Sequence, residues 1–126
     1  MKKIKVLIVD DSSVMRKMVE RSLRQSGLDI SQVLEASNGM EALSLVRQNS
    51  LDLVLSDINM PVMDGLEFIR QLQAIESAKG VPVVMITTEG SASPMGEALL
   101  FGARGYITKP FTPDQIKEQV FPLLEA

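Results

Sequence analysis

The chain has 126 residues, 45% of them apolar, and a formal charge of −3 with an isoelectric point near 4.9. That length and content suit one compact domain spanning residues 1–126, and the acidic balance argues against a basic nucleic-acid surface, so no DNA partner is expected. Without cysteine or histidine there is no disulfide framework, no ordinary zinc site and no histidine acid–base chemistry, so any metal must be held by oxygen.

Met1-Lys2-Lys3 leads straight into the apolar run Ile4–Val9, which predicts a first strand. With no run of about eighteen apolar residues, neither a membrane span nor a signal peptide is expected, and the chain reads as a cytoplasmic monomer. The first strand ends in two adjacent carboxylates, Asp10 and Asp11. Val14, Met15, Met18, Val19 and Leu23 then fall at helical spacing, with Ser13 as the expected cap and Gly27 as the stop. A second strand is expected over 32–36, followed by a helix opened by Asn38-Gly39 and carrying Ala42, Leu43 and Val46.

A third strand over 51–56 runs into Asp57, and Asp64-Gly65 turns the chain into a helix with Leu66, Ile69 and Leu72. Val83–Thr87 is the fourth strand. The next helix, with Met95, Ala98 and Leu99, starts poorly, because the stretch from Gly90 to Gly96 holds two glycines and Pro94, so a late or frayed start is expected. The last strand covers 106–108, and Thr112-Pro113 opens a helix with Ile116, Val120, Leu123 and Leu124, expected to kink or loosen near Phe121 ahead of Pro122. Strand and helix alternate throughout, and doubly apolar strands imply a parallel sheet covered on both faces.

In such a sheet functional groups gather beyond the carboxyl ends of the strands. Asp10, Asp11, Asp57, Thr87 and Lys109 would all meet at that edge, and with the first and third strands adjacent, three carboxylates would form a hard oxygen site suited to Mg²⁺. Taken singly, Asp10 and Asp11 read equally well as caps or turn formers, Thr87 as a β-branched strand residue, Lys109 as a surface lysine and Tyr106 as a half-buried sheet aromatic. Only the shared edge favours chemistry. The methionines are expected as core fillers, and Leu100 and Phe101 read either as exposed partner contacts or as further core.

Asp10-Asp11-Ser12 with Met15-Arg16, the stretch from Asp57 to Gly65 (DINMPVMDG), Thr87-Thr88-Glu89, and Tyr106 with Lys109-Pro110-Phe111 together resemble the response-regulator receiver domains, most of all the single-domain chemotaxis regulators of the CheY type. The resemblance spans essentially the whole chain. It implies a flavodoxin-like (βα)5 doubly wound α/β fold, a five-stranded parallel sheet of order 2-1-3-4-5 with helices on both faces; this order is carried over from the family. It further implies Asp57 as the phosphoacceptor, a sensor histidine kinase as phosphodonor, and Mg²⁺ on Asp11, Asp57 and the backbone carbonyl of Asn59, with Asp10 acting through water. Thr87 and Lys109 would receive phosphoryl charge, Thr87 and Tyr106 would form the switch, Asn59 and Glu89 would influence phosphoryl lifetime, and Lys109–Pro110 would be cis. The surface of the fourth helix, fifth strand and fifth helix would then bind an effector such as a flagellar motor switch protein, with a phosphatase as a further candidate partner.

Other readings keep the receiver chemistry but serve a different effector or a phosphate sink. An aspartyl-phosphate phosphatase of the haloacid dehalogenase type would want an Asp where Asn59 stands, and a flavodoxin-like cofactor binder would not place Asp10 and Asp11 in its phosphate loop. The expected protein is therefore a switch rather than an enzyme, although it would promote its own phosphorylation and dephosphorylation.

Overall fold

The computed structural model of the protein describes residues 3–88 and 92–124, apart from the side chains of 92–95. Among them are β1 (Ile4–Val9), α1 (Ser13–Gln25), β2 (Ile30–Ala36), α2 (Gly39–Gln48), β3 (Leu53–Ser56), α3 (Gly65–Leu72), β4 (Val83–Thr87), α4 (Ala92–Leu100), β5 (Gly105–Thr108) and α5 (Pro113–Leu124). The sheet is wholly parallel, in the order β2-β1-β3-β4-β5. The fold is the expected flavodoxin-like one, and the chain reverses its direction of winding between β1 and β3.

The two-residue period of a strand explains why the core divides in two. Leu7, Val9, Val54, Val83 and Met85 face one way and pack with Ala42, Val46, Phe68, Ile69 and Leu72 of α2 and α3. Ile4, Val6, Ile8, Leu53, Leu55, Val84 and Ile86 face the other way and pack with Val19, Leu23, Ile116 and Val120 of α1 and α5. Phe68, Leu7 and Leu55 are at most 1% exposed, and each such side chain contributes roughly 1.5–3 kcal/mol by leaving water. The edge strand β2 departs from the doubly apolar pattern, being half-exposed over most of its length.

Several local expectations need correcting. Ser12, not Ser13, caps α1: its backbone is still extended and its hydroxyl accepts from the amide of Met15 at 3.2 Å. Strand β3 begins at Leu53, and Asp52 before it is tied to β1 twice, its amide donating to the Lys5 carbonyl and its carboxylate accepting from the Lys5 amide, both at 2.9 Å. A single 3₁₀ turn, Glu76–Ala78, lacks a sequence signal. Helix α4 starts at Ala92, so Pro94 falls in its first turn, where a missing amide proton is harmless. Helix α5 runs to Leu124, so Pro122 does not end it. Leu100 is 85% exposed, whereas Phe101 packs against the core beneath the Arg70 guanidinium, 5.7 Å from its ring centre. Met60 and Met85 fill the core as expected, but Met18 and Met40 are about half exposed.

Candidate functional site

The ladders that build the sheet also place the carboxylates. The Asp10 amide donates to Ala36 at 3.0 Å, one step beyond the β1–β2 pairing, and the Asp57 amide donates to Val9 at 2.9 Å, one step beyond β1–β3. Both aspartates therefore stand at one sheet edge. The Asp10 carboxylate is buried and accepts from the Ser12 amide at 2.9 Å; Asp11 is exposed. Asp10, Asp11 and Asp57 each bring an oxygen within 4.8 Å of the others.

From the other side of the sheet, the Lys109 amide donates to the Thr87 carbonyl at 2.9 Å, and Thr87 is fully buried at the end of β4. The Lys109–Pro110 bond is cis, as expected. The Lys109 ammonium donates to Asp10 Oδ2 at 3.0 Å and Asp57 Oδ2 at 3.3 Å. Three carboxylates against one ammonium leave a net charge of −2 among these side chains. The two oxygens of Asp57 are distinguished, since Oδ1 accepts instead from the Ile58 amide at 2.7 Å. Burial pushes the Asp57 carboxyl above the usual carboxylate range; the Lys109 charge opposes that shift and the Asp10 charge adds to it.

The loop from β3 to α3 is shaped by two features that sequence reasoning missed. Val62 has φ +70, and the Met63 amide donates to Pro61 at 2.8 Å across it, which is a γ-turn of the rarer hand for an L residue. Met63 then packs against Gly39, whose amide donates to the Met63 carbonyl at 3.0 Å. Gly65 starts α3 directly against the Asp57 backbone: a Cβ there would run into the Asp57 carbonyl and lie 2.9 Å from Ile58 Cα. Only glycine allows this approach.

Asp10, Asp11, Asp57, Thr87 and Lys109 thus share one edge. Asn59 lies in the adjoining loop with its side chain exposed, and Tyr106 is half-buried on the α2–α3 side of β5. Glu89 lies outside the described residues. An apolar groove of about 350 Å³ borders Lys109, lined by Met15, Met18, Thr88, Pro110 and Phe111, with Arg21 at its side. Arg16 and Glu35, given no role by the sequence, also meet near the aspartates; a helix–strand register of this kind has no sequence signature.

The carboxylate set fits a divalent cation. Hard oxygen donors from two strand ends converge, and a single lysine does not balance their charge. The same arrangement sets a nucleophilic oxygen of Asp57 beside the positive charge of Lys109.

Comparison with known proteins agrees with this geometry. Residues 6–121 match the response regulator receiver domain family. The chain is 40% identical over 122 residues to a chemotaxis protein CheY homolog of Campylobacter jejuni, covering 96% of this chain and 92% of that one. It is 40% identical over 124 residues to chemotaxis protein CheY-3 of Vibrio cholerae, covering 98% and 94%. The solved structure of the V. cholerae chemotaxis response regulator CheY4 superimposes with a TM-score of 0.85 at 36% identity, covering 98% of this chain and all of that one. With the fold, the acidic edge and these relatives in agreement, the chain belongs to the response regulator receiver family, in its CheY-like branch.

Proposed function

We propose that the protein is a cytoplasmic signalling switch of a two-component system, phosphorylated on Asp57 by a histidine kinase. The observation that carries this reading is the placement of Asp57 among Asp10, Asp11 and Lys109, with its amide fixed by β1 and one oxygen turned to the lysine. Partial desolvation leaves its carboxylate more basic than one in water, which suits a nucleophile. In the transfer, a carboxylate oxygen of Asp57 bonds to phosphorus as the donor's P–N bond breaks. The electron pair departs on the imidazole nitrogen, which takes a proton from solvent. Lys109 holds positive charge against the phosphoryl oxygens, and the Thr87 hydroxyl offers them a donor. The carboxylates of Asp11 and Asp57 and the backbone carbonyl of Asn59 would hold Mg²⁺, with Asp10 acting through water. Its chemistry there would be to neutralise charge on the transferring oxygens.

These 126 residues include no histidine, so the donor lies outside this domain, and the apolar groove beside Lys109 offers that donor a surface. The output runs through Thr87 and Tyr106 to the face of α4, β5 and α5, whose effector, by kinship with chemotaxis proteins, is a flagellar motor switch protein. Incubation with a small acyl phosphate and Mg²⁺ tests the acceptor: wild type should gain one phosphoryl group by mass spectrometry and Asp57→Asn none. Full labelling of that variant overturns the assignment. Effector capture with and without the beryllofluoride phosphate mimic then tests the output.

A further inference from the structure

Arg16 lies in the second turn of α1, beneath the segment that carries Asp10 and Asp11. Its Nη1 donates to the backbone carbonyl of Asp10 at 2.6 Å and its Nε to Glu35 Oε1 at 2.8 Å. The second Glu35 oxygen accepts from Lys17 Nζ at 2.9 Å. The Arg16 and Glu35 side chains are only 17% and 28% exposed, so water competes weakly for these bonds. Both peptide groups of Asp10 are therefore tied to β2: the amide directly through Ala36, the carbonyl through Arg16 to Glu35.

The Asp10 carbonyl shares its peptide plane with the Asp11 amide. Whatever holds that carbonyl fixes the Asp11 nitrogen and Cα, from which its side chain starts. Asp11 is exposed and has no packing of its own to aim it. We infer that Arg16, held in place by Glu35, is a positioning residue that presets the Asp10–Asp11 backbone for metal binding. The inference rests on the Mg²⁺ reading of the three carboxylates.

Electrostatics alone predicts the opposite outcome, which makes the idea testable. Arg16 carries positive charge near an acidic cluster, so removing it should strengthen cation binding if charge were its whole effect. Loss of positioning should weaken it instead, by about tenfold, the lower end for groups that support metal ligands.

The test is calorimetric titration of the metal-free protein with Mg²⁺, alongside urea unfolding in chelator. Arg16→Met should bind Mg²⁺ about tenfold more weakly than wild type. Arg16→Lys should also bind more weakly, because an ammonium keeps the charge but not the fork that spans both acceptors. Glu35→Gln, which still offers an oxygen to Nε, should stay near wild type, while Glu35→Ala should resemble Arg16→Met, and the double variant should be no worse than either single one. Unchanged or tighter Mg²⁺ binding by Arg16→Met overturns the inference, as does a loss of stability in chelator with affinity unchanged. A wild type that does not bind Mg²⁺ overturns the metal reading itself, and the inference with it.

Discussion

Neutralising Asp11 should stabilise the metal-free protein. Its carboxylate stands within 4.8 Å of two others, whereas the one ammonium nearby is hydrogen-bonded to Asp10 and Asp57. Arg16 is neutralised by its pairing with Glu35, so two repulsions partly offset by one attraction leave about one uncompensated unit pair. At 4.8 Å in water such a pair is worth about 0.9 kcal/mol, and this distance is shorter than the screening length at physiological salt. Asp11 is exposed, so the water value is the appropriate one. Asp11→Asn should therefore gain about 1 kcal/mol in chelator, or about 3 to 5 °C in melting temperature. With Mg²⁺ the order should reverse, because wild type gains about 2.7 kcal/mol at a hundredfold excess over its dissociation constant and the variant, short of a ligand, gains much less. Urea unfolding followed by circular dichroism, with Mg²⁺ and with chelator at matched ionic strength, measures both effects. Equal stability in chelator together with an equal gain from Mg²⁺ would refute the picture of a strained acidic cluster relieved by a cation.

Lys109→Met should lower stability in chelator, since it strands the Asp10 and Asp57 carboxylates, yet bind Mg²⁺ at least as tightly in calorimetry because a competing cation is gone. Gly65→Ala should cost about 3 kcal/mol or more in urea unfolding, the upper range for overpacking, because the obstruction is the Asp57 and Ile58 backbone, which cannot swing aside. The bonds from Lys17 and then Arg16 hold the Glu35 carboxyl below its ordinary range, so the unfolded chain binds the extra proton there and stability rises with pH. That contribution should be present above the unfolded carboxylate value and lost as pH falls through the depressed folded one; Glu35→Gln should flatten this part of the curve in urea unfolding across the acid range.

Much of this architecture was legible because short, doubly apolar strands between helical segments leave little choice but a covered parallel sheet. The positions of Asp10, Asp57, Thr87 and Lys109 followed from strand ends alone. The strand order did not, since composition is silent on which buried strands are neighbours; it came from the family resemblance. Contacts set by three-dimensional register were also hidden. Arg16 meets Glu35 only because α1 crosses the face of β1 and β2 at a particular height, and Val62 adopts a left-handed backbone that its β-branched side chain disfavours. The exposure of Val14 and Met18 shows the same limit, since helical spacing names a stripe without fixing its width.

The hydrogen bond from Lys109 to Asp10 joins residues 99 positions apart. Any fragment that contains both must span at least 100 of the 126 residues. A nascent or truncated chain would hold aspartates without the lysine, and a misregistered sheet would separate them. The pairing of Lys109 with Asp10 and Asp57 therefore reports that the whole sheet from β1 to β5 has closed, since no local stretch of chain can form it.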